Sequence, residues 1–358
     1  MDLQITHETD YDYTPAVESA QHMACLQPLE TPYQQRIAHR LTITPDPADR
    51  SDDTDVYGNG RTFFSLQLPH AHLSVVARSL VRTLPPASAT STVAWEAVRE
   101  RFRFHAGATW DAAAEFAFPS HHIPRQEAFV SYALPSFPDK RALMDAAIDL
   151  MTRIHTEFTY ESRSTEISTP ALEALTQRKG VCQDFAHIMI ACLRGLGLPA
   201  RYVSGYLLTQ PPPGKPRLVG SDASHAWVSV YLPDLPGAAD GLGWFDLDPT
   251  NNRCGWGTPG EDYVTVATGR DFSDVSPIRG VIHGGAQHVL NVGVTVAPPG
   301  EALLDPVTGA VVSALNTSVG TRAATSQAQN QQPNPVQQQQ FQPLQENTHG
   351  YPYPTEKT

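Results

Sequence analysis

The chain has 358 residues, 41% of them hydrophobic, with 25 Lys or Arg against 37 Asp or Glu for a formal net charge of −12. That length supports a substantial core and two domains more readily than one, and the acidic balance, with no block of basic residues, argues against a nucleic-acid backbone or a membrane as partner. The start, Met1-Asp2-Leu3-Gln4-Ile5-Thr6-His7-Glu8, lacks the basic and apolar regions of a secretory signal, and no stretch approaches the ~18 apolar residues of a membrane span, so the expected location is the cytoplasm, where thiols stay reduced.

Residues 1–85 read as β-rich. Short runs such as Gln4-Ile5-Thr6-His7, Arg40-Leu41-Thr42-Ile43-Thr44, Thr62-Phe63-Phe64-Ser65-Leu66 and Leu73-Ser74-Val75-Val76-Ala77 alternate with turn clusters, among them Asp52-Asp53 and Gly58-Asn59-Gly60, and predict a small β-sandwich. Residues 86–137 are rich in Ala, Pro and Ser with one helical stretch over 93–100, and read as a connector packed on the next domain. From 138 the period turns helical. Leu143, Met144, Ala147, Ile148, Met151 and Ile154 form one stripe, and a second helix runs from Cys182 to about Arg194, ending at Gly195 or Gly197 before Pro199. Strands are predicted over 201–207, 226–232 and 243–247. Helices followed by consecutive strands make residues 138–297 an α+β domain with an antiparallel sheet. Residues 298–358 fall into low complexity, most plainly over 327–345 with Gln337-Gln338-Gln339-Gln340, and are expected to be disordered.

Chemistry concentrates in the 138–297 segment. In Arg178-Lys179-Gly180-Val181-Cys182-Gln183-Asp184-Phe185-Ala186-His187 a Gly loop leads into the second helix, so Cys182 falls at a helix N-terminus, where unpaired amides favour thiolate over thiol. Cys192, inside Ile188-Met189-Ile190-Ala191-Cys192-Leu193, reads instead as a packing residue. The four cysteines show no C-x-x-C pair and the fourteen histidines no H-E-x-x-H spacing, so no metal or other cofactor is expected. His225 opens a strand and shares a face with Trp227, Ser229 and Tyr231, opposite Ala226, Val228 and Val230. Asp246 and Asp248 are two apart on a later strand. Asp248 precedes Pro249, which places it at the sheet lip with His225, whereas taken singly Asp246 reads as an exposed strand residue.

These blocks, Gly180-Val181-Cys182-Gln183-Asp184-Phe185-Ala186-His187, His225-Ala226-Trp227-Val228-Ser229-Val230-Tyr231 and Trp244 with Asp248-Pro249-Thr250-Asn251, resemble the bacterial transglutaminase-like superfamily, in its cysteine-peptidase type. The resemblance extends N-terminally through Thr9-x-Tyr11-x-Tyr13-x-Pro15, Asp55-Val56-Tyr57-Gly58-Asn59 and Pro69-His70, and C-terminally through Gly269-Arg270-Asp271-Phe272-Ser273-Asp274-Val275. It implies a papain-like α+β core with Cys182 as nucleophile, His225 as base and acid and Asp248 as its orienter, acting on a peptide or protein substrate. The Cys182 backbone N–H is the expected first oxyanion donor. No EF-hand-like loop is present, so the calcium dependence of animal transglutaminases does not carry over. Attack on an amide forms a thioester; its hydrolysis makes a peptidase or amidase and is the expected outcome, capture by a lysine amine makes a crosslinker, and a non-catalytic scaffold is the remaining alternative.

Overall fold

A computed structural model describes residues 1–103, 106–107, 110–161, 169–211, 216–220, 224–284, 287–306, 308 and 310–313. Five strands open the chain: β1 (Asp2–Ala24), β2 (Gln34–Thr44), β3 (Asp49–Thr54), β4 (Gly60–Leu66) and β5 (His70–Thr83). A mostly helical stretch comes after them, with α1 (Trp95–Arg101), α2 (Glu127–Ala133), α3 (Leu143–Glu157), β6 (Thr159–Tyr160), α4 (Ala171–Gln177), β7 (Lys179–Gly180) and α5 (Cys182–Gly195). Next come β8 (Ala200–Leu207), β9 (Ser224–Tyr231), β10 (Trp244–Asp248), β11 (Arg253–Trp256), β12 (Tyr263–Gly269), α6 (Phe272–Val275), β13 (Ile278–Gly284), β14 (Gln287–Ala297), β15 (Ala302–Leu304) and β16 (Val311–Ser313).

β1 organises the N-terminal unit because it belongs to two layers. Its first half pairs with β5 and β14, and its second half, beyond an irregularity between Asp12 and Val17, pairs with β4 and β13. The sheet therefore folds over on itself. Alternate residues of the two halves, including Val17, Ala20, Leu41, Ile43, Phe64, Leu66, Leu73 and Val75, meet in one buried cluster, each aliphatic contributing roughly 1.5–3 kcal/mol. The sandwich expected from residues 1–85 is thus completed by β13 and β14, which periodicity alone groups with the 138–297 domain. Local periodicity carries no information on which distant strand a segment will pair with. Asp52-Asp53, a turn by composition, lies in β3, an exposed edge strand paired with β4. Charged side chains suit such an edge because they discourage further pairing.

The second unit is an antiparallel sheet in the order β11-β10-β9-β8-β12, with α5 across β9 and β8. α5 has almost no solvent-facing side. Phe185, Ile188, Met189, Ile190, Cys192 and Leu193 are all 0–2% exposed, as expected for a helix apolar around its circumference. Leu143, Ala147, Leu150, Met151 and Ile154 of α3 join the same core. α1, α2 and α4 have seven residues each; the first matches the helical stretch expected over 93–100, and the other two are not foreseen from the sequence.

The two units are joined at the free edge of β12. The Gln34 amide accepts from Thr265 N–H (2.8 Å) and donates to Thr265 C=O (2.7 Å); Asn59 accepts from Thr268 N–H and donates to Thr268 C=O, both at 2.8 Å. Each primary amide stands in for a peptide group of a missing neighbour strand. Residues 298–306, 308 and 310–313 depart from the disorder expected of the tail, since β15 and β16 form a hairpin held to 217–219. The rest of that tail lies outside the described residues. No described helix is long and apolar enough to cross a membrane.

Candidate active site

The entry to α5 places the thiol. Asp184, in the first turn, accepts the Val181 N–H at 2.8 Å and so caps the helix. The same carboxylate requires glycine at 180, where a Cβ would lie 2.6 Å from Asp184 Oδ2. Cys182 is then the first helical residue, 5% exposed. Gly180 also pairs with Tyr160, setting that half-exposed ring beside the thiol. Burial, followed by the Cys182 and Asp184 charges, pushes the Tyr160 hydroxyl up to about 12.

His225 and Asp248 meet because β9 and β10 are antiparallel with Leu247 opposite Val228, bringing the start of one strand to the end of the other. His225 Nε2 lies 2.7 Å from Asp248 Oδ2, and the Cys182 thiol is near enough to the same imidazole to help raise it, which leaves Nδ1 for the sulfur. Asp248 is fully buried and receives four other donors: the N–H groups of Thr250 (2.9 Å) and Asn251 (3.3 Å), Asn251 Nδ2 (2.7 Å) and the Tyr263 hydroxyl (2.7 Å). Burial alone would raise this carboxyl, but His225, Asn251 and Tyr263 reverse the effect and hold it below its usual range. Burial likewise pulls His225 down, yet Asp248 and then Cys182 outweigh it and hold the imidazole up at about 10. The Trp227 ring lies nearly parallel to His225 at 6.1 Å, beneath it in the sheet.

Asp246 serves a different set of residues. It accepts from Trp227 Nε1 at 3.1 Å and from the Ser229 hydroxyl, and it is 3% exposed, not the exposed strand aspartate of the single-residue reading. Burial raises its carboxyl, and the bonds from Ser229 and Trp227 with the charge of Arg201 offset this only in part. Asp246 thereby locks Trp227, the floor under His225. Gly205, opposite His225 on β8, makes room for that floor, because a Cβ there would stand 2.6 Å from Trp227 Cη2 and 2.0 Å from the Val264 carbonyl. A glycine inside a predicted strand is the signal that could have found it. Tyr263 opens the strand-like run Tyr263-Val264-Thr265-Val266-Ala267-Thr268, but no local signal in that run points its hydroxyl at Asp248. Asn251 is visible only as part of a motif.

The remaining candidates separate cleanly. Burial pushes the thiols of Cys25, Cys192 and Cys254 up, to about 11 for Cys25. His122, a plain loop residue by sequence, stacks on buried His187 at 5.2 Å and donates its backbone N–H to Asp271. Among the described residues no group of His, Cys, Asp and Glu is arranged to hold a metal ion.

Comparison with known proteins agrees with this architecture. The family described as the transglutaminase-like superfamily matches residues 136–249, and the bacterial transglutaminase-like N-terminal region matches 3–82. An uncharacterised protein of Mycobacterium tuberculosis (strain ATCC 25618 / H37Rv) is 44% identical over 307 residues, covering 84% of this chain and 94% of the relative. The crystal structure of a candidate cysteine protease from Cytophaga hutchinsonii shares the fold, with a TM-score of 0.61 at 21% identity over 83% of this chain and 90% of that one. A protein-glutamine gamma-glutamyltransferase of Pseudomonas aeruginosa is 29% identical over 135 residues, 37% of this chain and 19% of that protein. With the helix-borne cysteine, the antiparallel sheet and the N-terminal sandwich all in place, the chain belongs to the transglutaminase-like superfamily.

Proposed function

We propose that this chain is a cysteine-dependent amide hydrolase working through a thioester acyl-enzyme, with Cys182 as nucleophile, His225 as acid and base and Asp248 as the carboxylate that orients His225. The observation that carries the reading is the meeting of three side chains, with the Cys182 thiol beside His225 and His225 hydrogen-bonded to a buried Asp248 that four other donors hold in place. His225 takes the thiol proton and the sulfur adds to the amide carbonyl. The C–N bond then breaks as His225 returns the proton to the leaving amine. The developing oxyanion lies at the N-terminus of α5, where the Cys182 N–H is a donor with no acceptor one turn earlier in the helix. Water, deprotonated by His225, resolves the thioester and restores the thiol. Asp248, held ionised, keeps Nε2 protonated so that Nδ1 faces sulfur.

The likeness to a glutamyltransferase favours a second reading, in which a primary amine replaces water at the last step. Incubating the enzyme with a peptide library, with and without a primary amine, and weighing the products tests both. Cleavage fragments or hydrolysed side-chain amides support hydrolysis. Amine adducts formed with loss of ammonia, to the exclusion of hydrolysis, support transfer, and no product with either overturns the enzyme assignment.

A further inference from the structure

Folding the N-terminal sheet over on itself brings its two end strands, β2 and β3, to one side of the sandwich. Between them lies a cleft of about 600 Å³ whose walls carry Arg36, His39 and Arg40 from β2, Arg50 and Asp52 from β3 and Thr62 from β4. Three guanidiniums and an imidazole thus stand against one carboxylate among the lining residues, in a chain of net charge −12. Arg40 is also directly opposite Arg78 of β5, a like-charge pairing that costs stability on a sheet.

Existing bonds hold these groups in place and match only part of their charge. Arg36 Nη1 donates to Pro28 C=O at 2.6 Å, with Glu30 4.0 Å from its Nε. Arg50 Nη1 donates to Leu41 C=O at 3.0 Å, and its Nη2 lies 3.6 Å from Asp52, which also accepts from the Thr62 hydroxyl at 2.5 Å. Arg40 makes no ion pair with a described residue. His39 Nδ1 lies 2.9 Å from Ser79 Oγ, which leaves Nε2 for a ligand. Burial, then the charges of Arg36 and Arg50, hold this imidazole down at about 4, and Asp52 offsets them only in part.

An added strand suits this cleft poorly. β2 has an irregularity between Arg36 and Ala38, Arg36 N–H is taken by Glu30 Oε1 at 3.0 Å, and Leu41 C=O is taken by Arg50. The edge therefore offers no continuous row of backbone groups. Guanidiniums match the paired oxygens of phosphate and carboxylate, and the volume is that of a small-molecule site. We propose that this cleft binds a small multivalent oxyanion, held by Arg40, Arg50 and His39, with Arg36 adding charge. By bridging β2 and β3, such a ligand stabilises the folded sandwich through linkage.

The test titrates the full chain with inorganic phosphate or citrate, each against sodium chloride at equal ionic strength. Binding heat, melting temperature and the His39 ring resonances are read, the last assigned by NMR with a His39→Gln variant. At least one of the two anions should bind, raise the melting temperature and shift the His39 titration upward by about one to three pH units, as an opposite charge at close range does. Arg40→Ala should leave the melting temperature of the free protein within about two degrees and weaken binding by about 10–100-fold, the worth of one charged hydrogen bond. Response to phosphate alone identifies a phosphate ligand, to citrate alone a polycarboxylate, and to both an oxyanion site without that preference. A His39 titration that moves with neither anion, or equally with chloride, overturns the proposal, as does binding undiminished in R40A. Binding of polyglutamate without either small anion also overturns it, in favour of a peptide partner.

Discussion

At the scale of the residue, the site separates two aspartates that share a strand face and differ in what they touch. Asp248 meets the imidazole and Asp246 meets Trp227 and Ser229. Asp248→Asn should therefore leave the fold intact and reduce turnover on any cleavable amide by about 10–10³, less than the ~10⁴ of serine-protease triads because a thiolate–imidazolium pair needs less help. Asp246→Ala should show the opposite balance, destabilising by roughly 1–3 kcal/mol through the unpaired Trp227 N–H and Ser229 hydroxyl. Thermal melts and steady-state rates on both variants check this, and a larger catalytic loss for Asp246 would reverse the assignment. Iodoacetamide should modify Cys182 faster at neutral pH than Cys25, Cys192 or Cys254, and His225→Ala should slow that reaction. Peptide mapping that finds Cys25 or Cys254 as the fast site would remove Cys182 from the mechanism.

At the scale of the element, two attachments invite measurement. The Asn59 clasp on Thr268 completes a buried strand edge, so Asn59→Ala leaves one N–H and one C=O unpaired and should destabilise by roughly 2–4 kcal/mol, read as a shift of the denaturation midpoint. Asn59→Asp keeps the acceptor but loses the donor and should be nearly as harmful. The tail divides at the hairpin. Truncation after residue 313 should leave the melting temperature within about a degree or two, whereas truncation from Gly300 removes Glu301, Leu303 and the Leu304 backbone bonds and should lower it by several degrees. Equal effects of the two truncations would mean that the hairpin contributes nothing to the folded body.

At the scale of the whole molecule, buried imidazoles set the pH window of stability. Burial holds His7, His22 and His187 down at about 4, 4 and 3, with neighbouring His70 adding to the effect at His22 and His122 at His187. In the unfolded chain each would titrate near 6.5, so their contribution is complete above that pH and is lost as pH falls through 6.5 toward 4, because the unfolded state takes up protons the folded state refuses. The slope is at most roughly 4 kcal/mol per pH unit for three groups. His225 has the opposite sign. Held up at about 10, it stabilises fully below 6.5 and progressively less as pH rises from 6.5 to 10. Chemical denaturation across pH should find a maximum near neutrality, with His22→Phe flattening the acid limb and His225→Ala the alkaline one; an acid limb unchanged by His22→Phe would remove that residue from the account.

Much of this architecture is legible in the amino-acid sequence. The Gly-led start of α5, the strand openings at His225 and Trp244, and the stop at Pro249 depend on backbone rules that act within a few residues, so Cys182, His225 and Asp248 can be named and the α+β class foreseen. Tertiary structure decided whatever depends on distant partners. It joined β13 and β14 to β1, turned Asp52-Asp53 into an edge strand, set the β15–β16 hairpin against 217–219, and brought Tyr263 from an unforeseen strand onto Asp248. It also assigned Gln34 and Asn59 to the free edge of β12. Strand pairing and side-chain hydrogen bonds between segments up to 293 residues apart leave no periodic trace in either partner, since each records only its own local preference and burial.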